Sequence, residues 1–217
     1  MPNYFFIFIL VCGIAFASGL YSYRYLGKKY KFLIVFTAFA FCTEIVMSIA
    51  TRTGYLKNTM PELHFYLMVE FFLLALFYRQ QLNGFVKKNI IVIIIIIFEL
   101  YLLLNALFIS DLDDFPNITR SLEGLILVSF SIILFYKILI ELKYENIWKI
   151  PLVWINFAVL FYFTGIFFHN ILFNVILNYS RELSKMLHKY FALIDILFYL
   201  IISAAFLMAR KFHSEKK

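Results

Sequence analysis

Residues 90–109 read IIVIIIIIFELYLLLNALFI, twenty residues in which Glu99 and Asn105 are the only side chains neither aliphatic nor aromatic. At about 1.5 Å of rise per residue, a helix of this length covers a hydrocarbon core roughly 30 Å thick. The run therefore reads as a transmembrane helix. Glu99 is the anomaly in it, because a carboxylate at mid-bilayer costs roughly 2.5–3.5 kcal/mol on insertion scales. Something must offset that cost.

Six further apolar runs flank this one, at about 4–22, 32–50, 62–78, 119–140, 151–174 and 187–209. The 217-residue chain is 64% hydrophobic, with a mean hydropathy of +0.87, well beyond the roughly half-apolar composition of soluble domains. The expected fold is all-α: one seven-helix transmembrane bundle over residues 1–217. The third run is the least apolar, since Glu62 and His64 stand at its start. The connections 23–31, 51–61 and 175–186 are short and polar, and leave no room for a soluble domain.

The 20 Lys and Arg residues set the orientation. Arg52, Lys57, Arg120, Arg181, Lys185 and Lys189 fall on one side, and the other fourteen, from Arg24 to Lys217, on the opposite side. The positive-inside rule makes the richer side cytoplasmic, with the N-terminus outside, the C-terminus inside, and the cell's inner membrane as the location. The net charge of +7 is thereby a matter of topology and anionic lipid rather than of nucleic acid. The first run has no basic segment before it and no small-residue cleavage pattern, so it reads as an anchor that stays. Pro61, Pro116 and Pro151 stand at or just before span starts, where a missing N–H costs nothing, and Pro2 at the terminus.

Catalytic signatures are missing. The four histidines are scattered singly, no G-x-S-x-G element occurs, and seven glycines build no phosphate loop. A zinc site from His64, His169, His188 and Asp195 has no motif behind it, and Cys12 and Cys42 are isolated. The expectation is therefore no enzyme activity, no metal and no cofactor.

What remains is a set of ionisable and amide groups inside the spans. Glu44, Glu70, Glu99, Glu123 and Asp195 lie at mid-depth or in the outer half, joined near the outer ends by His169, Asn170, Asn174 and His188. Asn170 and Asn174 are four apart, and His188 and Asp195 seven apart, so each pair shares a helix face. Lipid cannot satisfy such groups, so they should point into the bundle. If they converge they make an acidic cavity open to the outside, suited to a proton, a cation or a small basic ligand, with Glu99 and Glu70 as its centre and Asp195 with His188 as its gate. The alternative is that each carboxyl bonds a local neighbour as packing glue. Tyrosines near span ends, Tyr78 among them, read as interface anchors, and Gly13, Gly19, Gly124 and Gly165 as close-packing positions.

Four stretches carry a resemblance: FLIVFTAFAFCT followed by Glu44, HFYLMVEFFLLALFYRQ, SLEGLILVSFSIILFYK and IPLVWINFAVLFYFTGIFF. Together they resemble a group of small seven-helix membrane proteins common in Bacteroidetes bacteria and often encoded near sensor kinases. The resemblance implies a sensory or receptor-like role, with Glu44, Glu70 and Glu123 at matching positions and the signal passed to a separate partner protein. A small transporter or channel, or an oligomerising membrane effector using its small-residue helix faces, are the alternative expectations.

Overall fold

The computed structural model describes residues 4–56, 58–109, 115–141, 146–179 and 181–214, and within the helices leaves out the side chains of 4–5, 88, 109, 171–179, 181–189 and 212–214. Seven helices follow one another: α1 Tyr4–Leu26, α2 Lys31–Arg52, α3 Met60–Gln81, α4 Lys88–Leu104, α5 Asn117–Ile140, α6 Pro151–Tyr179 and α7 Arg181–Ser214. Each contains a segment long and apolar enough to cross a membrane, and the described residues include no β-strand. The chain is a multi-pass, all-helical membrane protein by length and composition.

The punctuation works as the residue types require. Pro61 sits in the first turn of α3, Pro116 caps α5 and Pro151 opens α6. Gly84 at φ 84° makes the tight turn from α3 to α4, a backbone conformation that side chains with a Cβ avoid. One expectation is corrected. Residues 175–186 form no polar connection: α6 runs on to Tyr179 and α7 starts at Arg181. This stretch has neither Gly nor Pro to end a helix, and apolar residues at 183, 186, 187, 190 and 191 keep a helical period through the charges.

Helix neighbours define a closed ring of six. α1 packs on α2 and α7, α2 on α3, α3 on α5, α5 on α6, and α6 on α7. The fourth helix is outside it, with α3 as its main neighbour. That contact is anchored by the Phe71 and Phe98 rings, 4.3 Å between centroids. Elsewhere α4 presents Ile93, Ile96, Ile97, Leu100 and Leu104 outward, which explains why it is the most apolar stretch of the chain. The packing of α5 against α6 needs Gly124, where a Cβ would stand 3.2 Å from the Phe163 carbonyl oxygen.

Two polar locks hold the half of the ring nearer the α3–α4 turn. Tyr78 of α3 donates its hydroxyl to Asn156 Oδ1 of α6 at 2.9 Å, Ser131 of α5 donates to the same oxygen at 3.0 Å, and Asn156 Nδ2 donates to the Ser131 carbonyl at 2.9 Å. Tyr78 is thus fully buried and is no interface anchor. Farther toward that end, Lys137 of α5 donates to the carbonyls of Gln81 and Asn83 at 2.7 and 3.1 Å. It satisfies orphan acceptors at the end of α3, as a cation near a helix C-terminus does.

Candidate functional site

A cavity of about 430 Å³ opens at the end where α3 and α5 begin. Its polar lining comes from Arg120 of α5, His169 and Asn170 of α6 and Asp195 of α7. Its apolar walls include Leu63, Phe115, Ile166, Phe191 and Ile194. His169 is fixed against Phe191, with ring centroids 3.9 Å apart. Helix periodicity brings these residues together: Ile166 and Asn170 are one turn apart on α6, and Phe191, Ile194 and Asp195 follow the i, i+3, i+4 rule on α7.

Arg120 had been counted only as a loop cation. It stands instead in the first turn of α5, partly buried, and its Nη2 donates to the Tyr162 hydroxyl at 3.3 Å. A cation at a helix N-terminus opposes the helix dipole, so its position needs compensation from elsewhere. Glu70, Glu123 and Asp195 are its electrostatic partners. Glu123 lies one turn along the same helix, and Glu70 two turns below the cavity residue Leu63 on α3. Both are 1% exposed, and among the described residues neither Glu123 oxygen nor Glu70 Oε2 has a hydrogen-bond partner.

Asp195 is the hub. Its charge interacts with Glu44 of α2, Glu70 of α3, Arg120 of α5 and Tyr162 of α6. Around it, Tyr66 and Tyr199 share a hydroxyl–hydroxyl hydrogen bond at 3.3 Å, and Tyr162 stacks on Phe198 at 4.4 Å.

The chain matches no protein-family model, no curated protein and no solved structure. Its chemistry therefore has to be argued from the cavity itself.

The expected site residues divide into groups. Asp195, His169 and Asn170 line the cavity, and Glu70 and Glu123 sit within the field of Arg120. Glu44 is linked to the set through Asp195 and Glu62 but stays outside the lining. Glu99 is not at the centre: it rides on α4, outside the ring, with one oxygen buried and unpartnered and Glu123 as its electrostatic neighbour. The side chains of Asn174 and His188 lie outside the described residues. No group of three or more His, Cys, Asp or Glu suited to a metal occurs among the described residues.

Below Glu70 and Glu123 the ring is filled. Phe71, Leu74, Phe77, Leu127, Val159 and Phe163 are all at 0% exposure. The Tyr78–Ser131–Asn156 lock then uses its polar atoms on one another.

Proposed function

We propose that this protein is a receptor-like membrane protein of the inner membrane, whose cavity faces outward and takes a small ligand bearing a basic group. One observation carries the reading: among the described residues, a carboxyl, Asp195, lines the cavity and interacts electrostatically with Glu44, Glu70 and Arg120. A cationic group can seat against Asp195 there. The resemblance to the Bacteroidetes seven-helix group supports the same role, with the output passed to a separate partner.

The filled layer of aromatic and aliphatic side chains beneath the cavity favours sensing over conduction, since a transport path needs polar, wettable groups on both sides of its binding site. Ligand occupancy would bias the packing of α7, which supplies Asp195, against α1 and α6. The test is titration calorimetry of the nanodisc-embedded protein with phenethylamine. Saturable binding weakened at least about tenfold by Asp195→Asn is expected, the usual scale for removing one partner of a desolvated ion pair. Binding indifferent to Asp195→Asn, or cation flux in proteoliposomes, would overturn the reading.

A further inference from the structure

The cavity holds donors that a simple amine would leave unused. Arg120 carries five N–H groups in a planar fork, and among the described residues its single hydrogen bond goes to Tyr162. Glu70, Glu123 and Asp195 act on it through their fields without entering ion-pair contact with it. Asn170 supplies a second donor: it is 3% exposed, lines the same cavity, and its Nδ2 has no partner among the described residues. A buried amide donor left unpaired costs about 1–3 kcal/mol, so a structure that keeps one beside a guanidinium fork is arranged for an acceptor to arrive.

We propose that the ligand is zwitterionic, an α-amino acid or a close analogue with an apolar side chain. This rests on the cationic-ligand reading above and adds a second recognition element to it. The ligand carboxylate bonds Arg120 and Asn170, the geometry for which a guanidinium fork is best suited. Its ammonium sits on Asp195, whose carboxylate has about four acceptor sites and so accommodates a ligand beside its existing neighbours. The side chain lies between Phe115, Ile166, Phe191 and Ile194. The volume of about 430 Å³ lies within the usual range for small-molecule pockets. The pairing also gives Arg120 a role in the cavity, as the cation that receives the ligand carboxylate beside Asp195.

A ligand series on the unaltered protein tests this without relying on any variant that fails to fold. The nanodisc-embedded chain is titrated with L-phenylalanine, L-phenylalanine methyl ester, phenethylamine and 3-phenylpropionate. L-Phenylalanine is expected to bind tightest, and each compound lacking one charge at least about tenfold more weakly. Asn170→Ala should narrow the gap between L-phenylalanine and its methyl ester while leaving phenethylamine unchanged. Equal binding of L-phenylalanine, the ester and phenethylamine would overturn the zwitterion and leave the cationic-ligand reading standing. Saturable binding of none of the four, or of 3-phenylpropionate as tightly as L-phenylalanine, would overturn both.

Discussion

Replacing Asn156 by leucine, which has a similar volume, tests how the filled half of the bundle is held. The substitution removes three side-chain hydrogen bonds, those accepted from the Tyr78 and Ser131 hydroxyls and the one donated to the Ser131 carbonyl. Adding up their strengths would overstate the loss. Ser131 keeps a second acceptor, the Asn156 backbone carbonyl at 3.1 Å, and its own carbonyl remains within the α5 ladder. The Tyr78 hydroxyl alone is stranded, fully buried, at a cost of about 1–3 kcal/mol. Tyr78→Phe removes that stranded group, so the double variant should be less destabilised than the two single costs combined. The coupling should be about 0.6–1.7 kcal/mol, the range of side-chain hydrogen bonds inside membrane bundles. Reversible unfolding in mixed detergent–SDS micelles, followed by helicity, measures all four corners of the cycle. Single-variant costs that sum to the double within about 0.3–0.5 kcal/mol would refute the lock.

Three further outcomes follow from the same geometry. Arg120→Met should destabilise the fold by about 1.5–3 kcal/mol, since it removes a charged hydrogen bond to the Tyr162 hydroxyl, and adding Glu123→Gln should recover part of that in the same unfolding assay. Lys137→Met should cost about 1.5–3 kcal/mol by leaving the Gln81 and Asn83 carbonyls without their charged donor, and hydrogen exchange should show faster fraying at the end of α3. Glu99→Gln should leave phenethylamine affinity unchanged within twofold, because Glu99 does not line the cavity; a clear loss of binding would place that carboxyl in the site after all.

The seven spans were legible because length and apolarity are one-dimensional properties. Depth was legible too, which is how Glu70, Glu123, Asp195, His169 and Asn170 could be assigned to one layer. What no single sequence carries is the order of helices around the ring. Glu99 shares the depth of its peers, yet α4 packs outside, so the most conspicuous acid is the peripheral one. Arg120 was hidden by the charge tally, although its spacing of three from Glu123 put both on one helix face. Asn156, Ser131 and Tyr78 each looked like ordinary span residues, and only their meeting across three helices makes them a lock. The segment 175–186 shows the converse error: its polarity reads as a long connection, whereas α6 runs to Tyr179 and α7 begins at Arg181.

The closure of the ring has a consequence for biogenesis. α1 leaves the ribosome before α7, yet α7 is one of its two flanking helices. Before α7 enters the bilayer, Arg120, Glu70 and Glu123 wait without the wall that carries Asp195. Until α7 joins α1 and α6, the chain is therefore open along a polar seam.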